Sequence, residues 1–167
     1  MKYEEARGDI KSGDVLLWSH RKWNTWYDIQ LQLVRFFTRS EYSHIGIAYV
    51  MGDRVFVLES VGAGVRMYPL SKELPFSWMP MISGEWNDNV LKAAMAKFGQ
   101  KYSKWDAIKS LWKKIPVGED DQWQCAEYTS YILHQMGIPV DCRRIPGEIV
   151  YWLQNHFDWC PIIHVTE

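Results

Sequence analysis

Residues 44–59 read His44-Ile45-Gly46-Ile47-Ala48-Tyr49-Val50, then Met51-Gly52-Asp53, then Arg54-Val55-Phe56-Val57-Leu58-Glu59. Two runs rich in Ile, Val and Phe flank a Gly-Asp turn, the pattern of a β-hairpin. A histidine opens the first run and a glutamate closes the second. Residues equidistant from a hairpin turn face one another, so the far end of the second strand approaches His44. A carboxylate at that end is either solvated or orients an imidazole, as the third group of a nucleophile–base arrangement does.

Working outward, Ile10-Lys11-Ser12-Gly13-Asp14 is a turn leading into a short buried strand, Val15-Leu16-Leu17-Trp18. Gly62-Ala63-Gly64 turns the chain into Val65-Arg66-Met67-Tyr68, ended by Pro69. Pro75 and Pro80 mark a loop, with a strand expected around Met79 to Ile82. Helical spacing of apolar residues appears over 24–37 (Trp26, Ile29, Leu33, Phe36, Phe37), over 89–98 with Gly99 as its stop, and over 105–112. The best-formed helix runs over 124–136, begun by Asp120 or Asp121 and ended by Gly137-Ile138-Pro139. A last helix is expected over 146–153 and a last strand over 162–165. Strands fill the first half and helices the second, so one α+β domain is expected over residues 1–167.

The composition is that of a globular protein: 167 residues, 47% hydrophobic and 23% charged. A net charge of -1 argues against a nucleic-acid partner. Tryptophan is the outlier at 10 copies, a residue suited to cores and to ligand grooves alike. The charged start Met1-Lys2-Tyr3-Glu4-Glu5-Ala6-Arg7 is not followed by an apolar stretch, and no run approaches the roughly 18 residues of a membrane span. A cytoplasmic protein is therefore expected, or a phage lysin or virion component. Cys125, Cys142 and Cys160 are odd in number, which fits free thiols in a reducing compartment. No CxxC or HExxH spacing occurs, and neither metal nor cofactor is expected.

Cys125 falls where the 124–136 helix begins. Unpaired N–H groups and the helix dipole there favour thiolate, bringing a thiol from about 8.5 toward neutrality. The same N–H groups suit a developing oxyanion. Taken alone, a cysteine on an apolar stripe is more often a packed core thiol, and a strand-edge histidine more often a structural hydrogen-bonder. Glu127, two residues on, is expected to point away from Cys125 while its charge favours the first turn. His20 with Asp28, His134, and His156 with Asp158 lack a nucleophile in a matching motif.

Five segments together resemble the circularly permuted branch of the NlpC/P60 papain-like superfamily, the YaeF/YiiX-like group, with the lecithin retinol acyltransferase-like enzymes more distant. They are Gly13-Asp14-Val15-Leu16-Leu17, Ser40-Glu41-Tyr42-Ser43-His44-Ile45-Gly46-Ile47, Val57-Leu58-Glu59-Ser60, Gly99-Gln100-Lys101-Tyr102 and Gln124-Cys125-Ala126-Glu127-Tyr128. The order His, Glu, Cys reverses that of papain, as the permutation requires. The resemblance implies a permuted papain-like fold, with an antiparallel sheet or half-barrel packed against helices. It implies Cys125 as nucleophile, His44 as general base and acid, Glu59 as orienting group, and Tyr102 as a hydroxyl near the oxyanion. Ala126 stands where the family often has serine, which leaves the backbone N–H unaffected. The implied activity is hydrolysis of an amide through an acyl-enzyme, with a peptide or muropeptide substrate leading. A lipid-amide or lipid-ester acyltransferase, and an inactive papain-fold binding module, are the alternatives.

Overall fold

The computed structural model describes residues 1–19, 41–101, 123–140, 145–157 and 161–167. Helix α1 (Tyr3–Ala6) precedes β1 (Val15–Trp18), β2 (His44–Met51), β3 (Arg54–Val61) and β4 (Gly64–Pro69). A 3-10 turn (Leu70–Lys72) leads to β5 (Phe76–Met79), then α2 (Asp88–Met95), α3 (Cys125–Gln135), α4 (Pro146–His156) and β6 (Ile163–Val165). The strands form one antiparallel sheet in the order β4-β3-β2-β1-β5-β6. The expected helices over 24–37 and 105–112 lie outside the described residues.

Strand parity divides the core. Val15, Leu17, Ile45, Ile47, Leu58, Val65 and Met79 face a cluster with Tyr128, Ile132 and Leu133 of α3. Leu16, Trp18, Ala48, Val55, Val57, Phe76 and Trp78 gather with Tyr3, Ala6, Ile10 and Leu70 on the opposite face. Fully buried residues such as Ile132 and Leu133 contribute about 1.5–3 kcal/mol each, so α3 is held chiefly by its sheet-facing stripe. No helix among the described residues is long and apolar enough to cross a membrane.

The turn before β1 is organised by Asp14. Its carboxylate accepts hydrogen bonds from Lys11 N (2.8 Å), Trp78 Nε1 (2.8 Å) and Met81 N (2.9 Å), tying the turn to the C-terminal half of β5 and the chain just beyond it. Burial pushes the Asp14 carboxyl up, against the pull of those three donors.

Several boundaries differ from expectation, and α4 runs to His156, three residues past the expected Leu153. The strand placed at Met79 to Ile82 lies at 76–79, because Pro75 and Pro80 bracket it rather than exclude it. Helix α2 stops at Met95, three residues short, and begins on Asn87, whose Oδ1 accepts from the N–H groups of Asn89 and Val90. Helix α3 is capped by Gln124, not Asp120 or Asp121, so Cys125 is its first helical residue.

Candidate active site

The turn at Gly52 (φ +64°) sets Met51 opposite Arg54 and Ile47 opposite Leu58. One step further brings Gly46 beside Glu59, where a Cβ on Gly46 would lie 3.5 Å from that of Glu59. His44 and Glu59 are therefore diagonal neighbours on one face, with a glycine in the gap between them. His44 Nε2 and Glu59 Oε2 are 2.6 Å apart, and both residues are buried. The sequence placed this pair together by equidistance, and the hairpin achieves it one diagonal away.

The carboxylate is also held from its other side. Arg66 lies directly opposite Glu59 in the β3–β4 ladder and donates from Nε (2.8 Å) and Nη2 (2.5 Å) to Oε1. Glu73 accepts a further bond from Arg66 Nη2 at 3.1 Å. Glu59 thus bridges a cation and an imidazole in a site where it is fully buried, which favours the charged forms of both partners. Arg66 was legible in principle, since the Gly62–Ala63 turn makes it the cross-strand partner of Glu59. Trp18, the register partner of His44, packs its ring 5.3 Å from the imidazole and donates Nε1 to Glu73 O at 2.7 Å.

The start of α3 is fixed by contacts from the sheet and from the loop after α2. Ser60 Oγ donates to Trp123 O (2.7 Å), and Trp123 N donates to Lys101 O (2.9 Å). Trp123 Nε1 donates to Gln100 Oε1. Gln100 O in turn accepts from Val65 N (3.0 Å), a contact that leaves Gly64 (φ +110°) no room for a Cβ. These bonds deliver Gln124 and Cys125 to the edge where β2 begins.

Cys125 is 6% exposed and is the free cysteine of the described residues. Its thiol and Glu59 both act on His44. Burial lowers the imidazole's affinity for a proton, but hydrogen bonding to Cys125, then to Glu59, and the negative charge of each outweigh it. The ring is raised from 6.5 to about 9. His44 is therefore an imidazolium at neutral pH, set between a carboxylate and a sulfur.

The structure thus brings three of the four expected site residues together. Tyr102 lies outside the described residues, as do Cys142, Cys160, His20, Asp28 and Asp158. His134 is exposed on α3, and His156 stacks on Trp152 (4.1 Å between centroids), so neither joins the site. Glu127 serves the first turn, as expected: its Oε2 accepts the N–H of Gln124 at 3.0 Å, folding back over the start of α3.

No family model and no curated protein matches the sequence. Among solved structures, the chain resembles the metalloprotein yiiX from Escherichia coli O157:H7, with a TM-score of 0.55 and 19% identity. The match covers 76% of this chain and 66% of that one. Among the described residues no three of His, Cys, Asp and Glu gather so as to hold a metal ion, and the donors at His44 are engaged with one another and with Arg66. The chain has the yiiX-like α+β fold, a six-stranded antiparallel sheet packed against helices, as its sequence motifs implied.

Proposed function

We propose that the protein is a cysteine hydrolase that cleaves an amide bond through an acyl-enzyme. The observation that carries this reading is the meeting of a helix-N-terminal thiol with an imidazole that a buried carboxylate holds at 2.6 Å. The His44 imidazolium favours the thiolate of Cys125, which attacks the carbonyl carbon of the substrate. The imidazolium gives its proton to the departing amine, leaving a thioester on Cys125. Water, deprotonated by His44, then attacks the thioester and releases the acid and the thiol. Glu59 stays ionised throughout and fixes the ring, and Arg66 keeps the carboxylate in place.

The substrate class favoured is a short peptide amide such as a peptidoglycan stem peptide, on the strength of the permuted papain-like motifs. A panel of muropeptides and lipid esters, read by intact-mass detection of an acylated chain and by product release, tests it. Acylation confined to Cys125, with turnover of a muropeptide and none by Cys125→Ala, is expected. Turnover of lipid esters alone would move the assignment to lipid acyl transfer. No acylation by any member would refute the enzyme reading.

A further inference from the structure

The Arg66 guanidinium serves two carboxylates. Glu59 links it to His44, and Glu73 reaches it from the chain that follows β4. Pro69 and the 3-10 turn Leu70–Lys72 carry the chain around, with Leu70 fully buried as the anchor. Glu73 N donates to Leu70 O at 3.0 Å. This sets Glu73 Oε1 to accept from Arg66 Nη2 at 3.1 Å, while the Glu73 carbonyl oxygen accepts the Trp18 indole N–H at 2.7 Å.

Both contacts lead to His44. The indole that Glu73 holds packs 5.3 Å from the imidazole. Arg66 Nη2 is shared between Glu59 Oε1 and Glu73 Oε1, Nε points to Glu59, and the Tyr68 ring lies 4.2 Å from the guanidinium carbon. Held this way, the guanidinium occupies Glu59 Oε1, and Oε2 meets the imidazole. Charge acts in the same direction. Among the described residues, the titratable and charged groups set around His44 are Glu59 of β3 and Cys125 of α3, with Arg66 of β4 and Glu73 behind Glu59; β1 adds the uncharged Trp18. The Arg66 cation opposes a second cation on the imidazole, and the Glu73 carboxylate offsets it.

We propose that Glu73 is a positioning residue of the site, which fixes Arg66 on Glu59 and, by offsetting the Arg66 charge, keeps His44 protonated as the donor to the leaving amine. Glu73 acts through Arg66 and Trp18 and exchanges no proton itself. The proton moves from the His44 ring to the amine nitrogen as the C–N bond breaks, and Glu73 raises the share of the protein that holds it. This inference rests on the cysteine-hydrolase reading of the same site.

The test is an NMR titration of the His44 Cε1–H signal in protein carrying ¹³C-labelled histidine, with the signal identified by its loss in His44→Ala. Glu73→Gln removes the charge and keeps the backbone carbonyl that Trp18 uses, and Glu73→Asp keeps the charge on a shorter arm. The wild-type midpoint is expected near 9. In Glu73→Gln the proton affinity of His44 should fall about tenfold, moving the midpoint down by about one pH unit, and Glu73→Asp should recover part of the fall. A purely structural role would lower the melting temperature of both variants and leave the His44 midpoint in place. An unmoved midpoint in folded Glu73→Gln, or a fall that Glu73→Asp shares in full, would overturn the role of Glu73 while leaving the cysteine-hydrolase reading intact. A wild-type His44 that titrates at its ordinary 6.5 would remove the imidazolium on which both rest.

Discussion

Replacing Glu59 by Gln tests the charge network at its centre. The substitution removes the negative charge, and one of the two accepting oxygens, that His44 and Arg66 share in a site with no solvent exposure. Removing one member of a buried pair costs about 3–5 kcal/mol. Arg66 is 32% exposed and keeps Glu73, so it recovers hydration and the lower end, about 3 kcal/mol, is expected. Part of that cost depends on pH. His44 titrates at about 9 in the folded protein against 6.5 ordinarily. This difference corresponds to about 3 kcal/mol in all, at about 1.4 kcal/mol per pH unit. Burial opposes the rise, which comes from the hydrogen bond to Cys125 and then from the hydrogen bond and charge of Glu59. Because the folded value lies above the unfolded one, this stabilisation is complete below about pH 6.5 and is lost as pH climbs through about 9. Urea unfolding followed by tryptophan fluorescence at pH 6 and pH 10 measures it. Wild type should exceed Glu59→Gln by about 3 kcal/mol at pH 6 and by less at pH 10. Equal stabilities at pH 6, or a gap that widens at pH 10, would refute the ion-pair account.

Gly46→Ala should destabilise by about 1–3 kcal/mol, since its Cβ would lie 2.6 Å from Val57 Cγ2 and 3.0 Å from Leu58 O; a thermal melt unchanged from wild type would contradict this. Arg66→Met should slow alkylation of Cys125 near neutral pH with the chain still folded, and Arg66→Lys should restore part of the rate, because the charge returns without the two-pronged geometry. Asp14→Ala should cost about 2–3 kcal/mol by stranding the buried Trp78 Nε1 and the part-buried N–H groups of Lys11 and Met81, read as a lower urea midpoint; a loss under about 1 kcal/mol would mean that water replaces the carboxylate.

The hairpin was readable because parity and turn chemistry both fix register: Ile45 and Ile47 require one face, and Gly52 fixes the turn. From that register alone, His44 and Glu59 shared a face, and so did Arg66 through the next turn. The strand at 76–79 was hidden by its flanking prolines, which signal loop in a linear reading but here stand at the strand's ends. The start of α3 at Gln124 was hidden for a different reason. Glutamine is not a favoured cap, and only the folding back of Glu127 onto the same turn reveals it. That Cys125 meets His44 depends on packing between residues 81 positions apart, which no local pattern encodes; the family motifs implied it, and the fold brings it about.

The most direct test of the account is the pH dependence of iodoacetamide labelling at Cys125, followed by mass spectrometry, in wild type and in His44→Ala. An imidazolium beside the sulfur favours thiolate and is present until about pH 9. Wild-type Cys125 should therefore label fast near pH 6, His44→Ala slowly, and the two rates should converge above pH 9. Slow labelling at pH 6 that the mutation leaves unchanged would make Cys125 a packed core thiol and contradict the proposed chemistry.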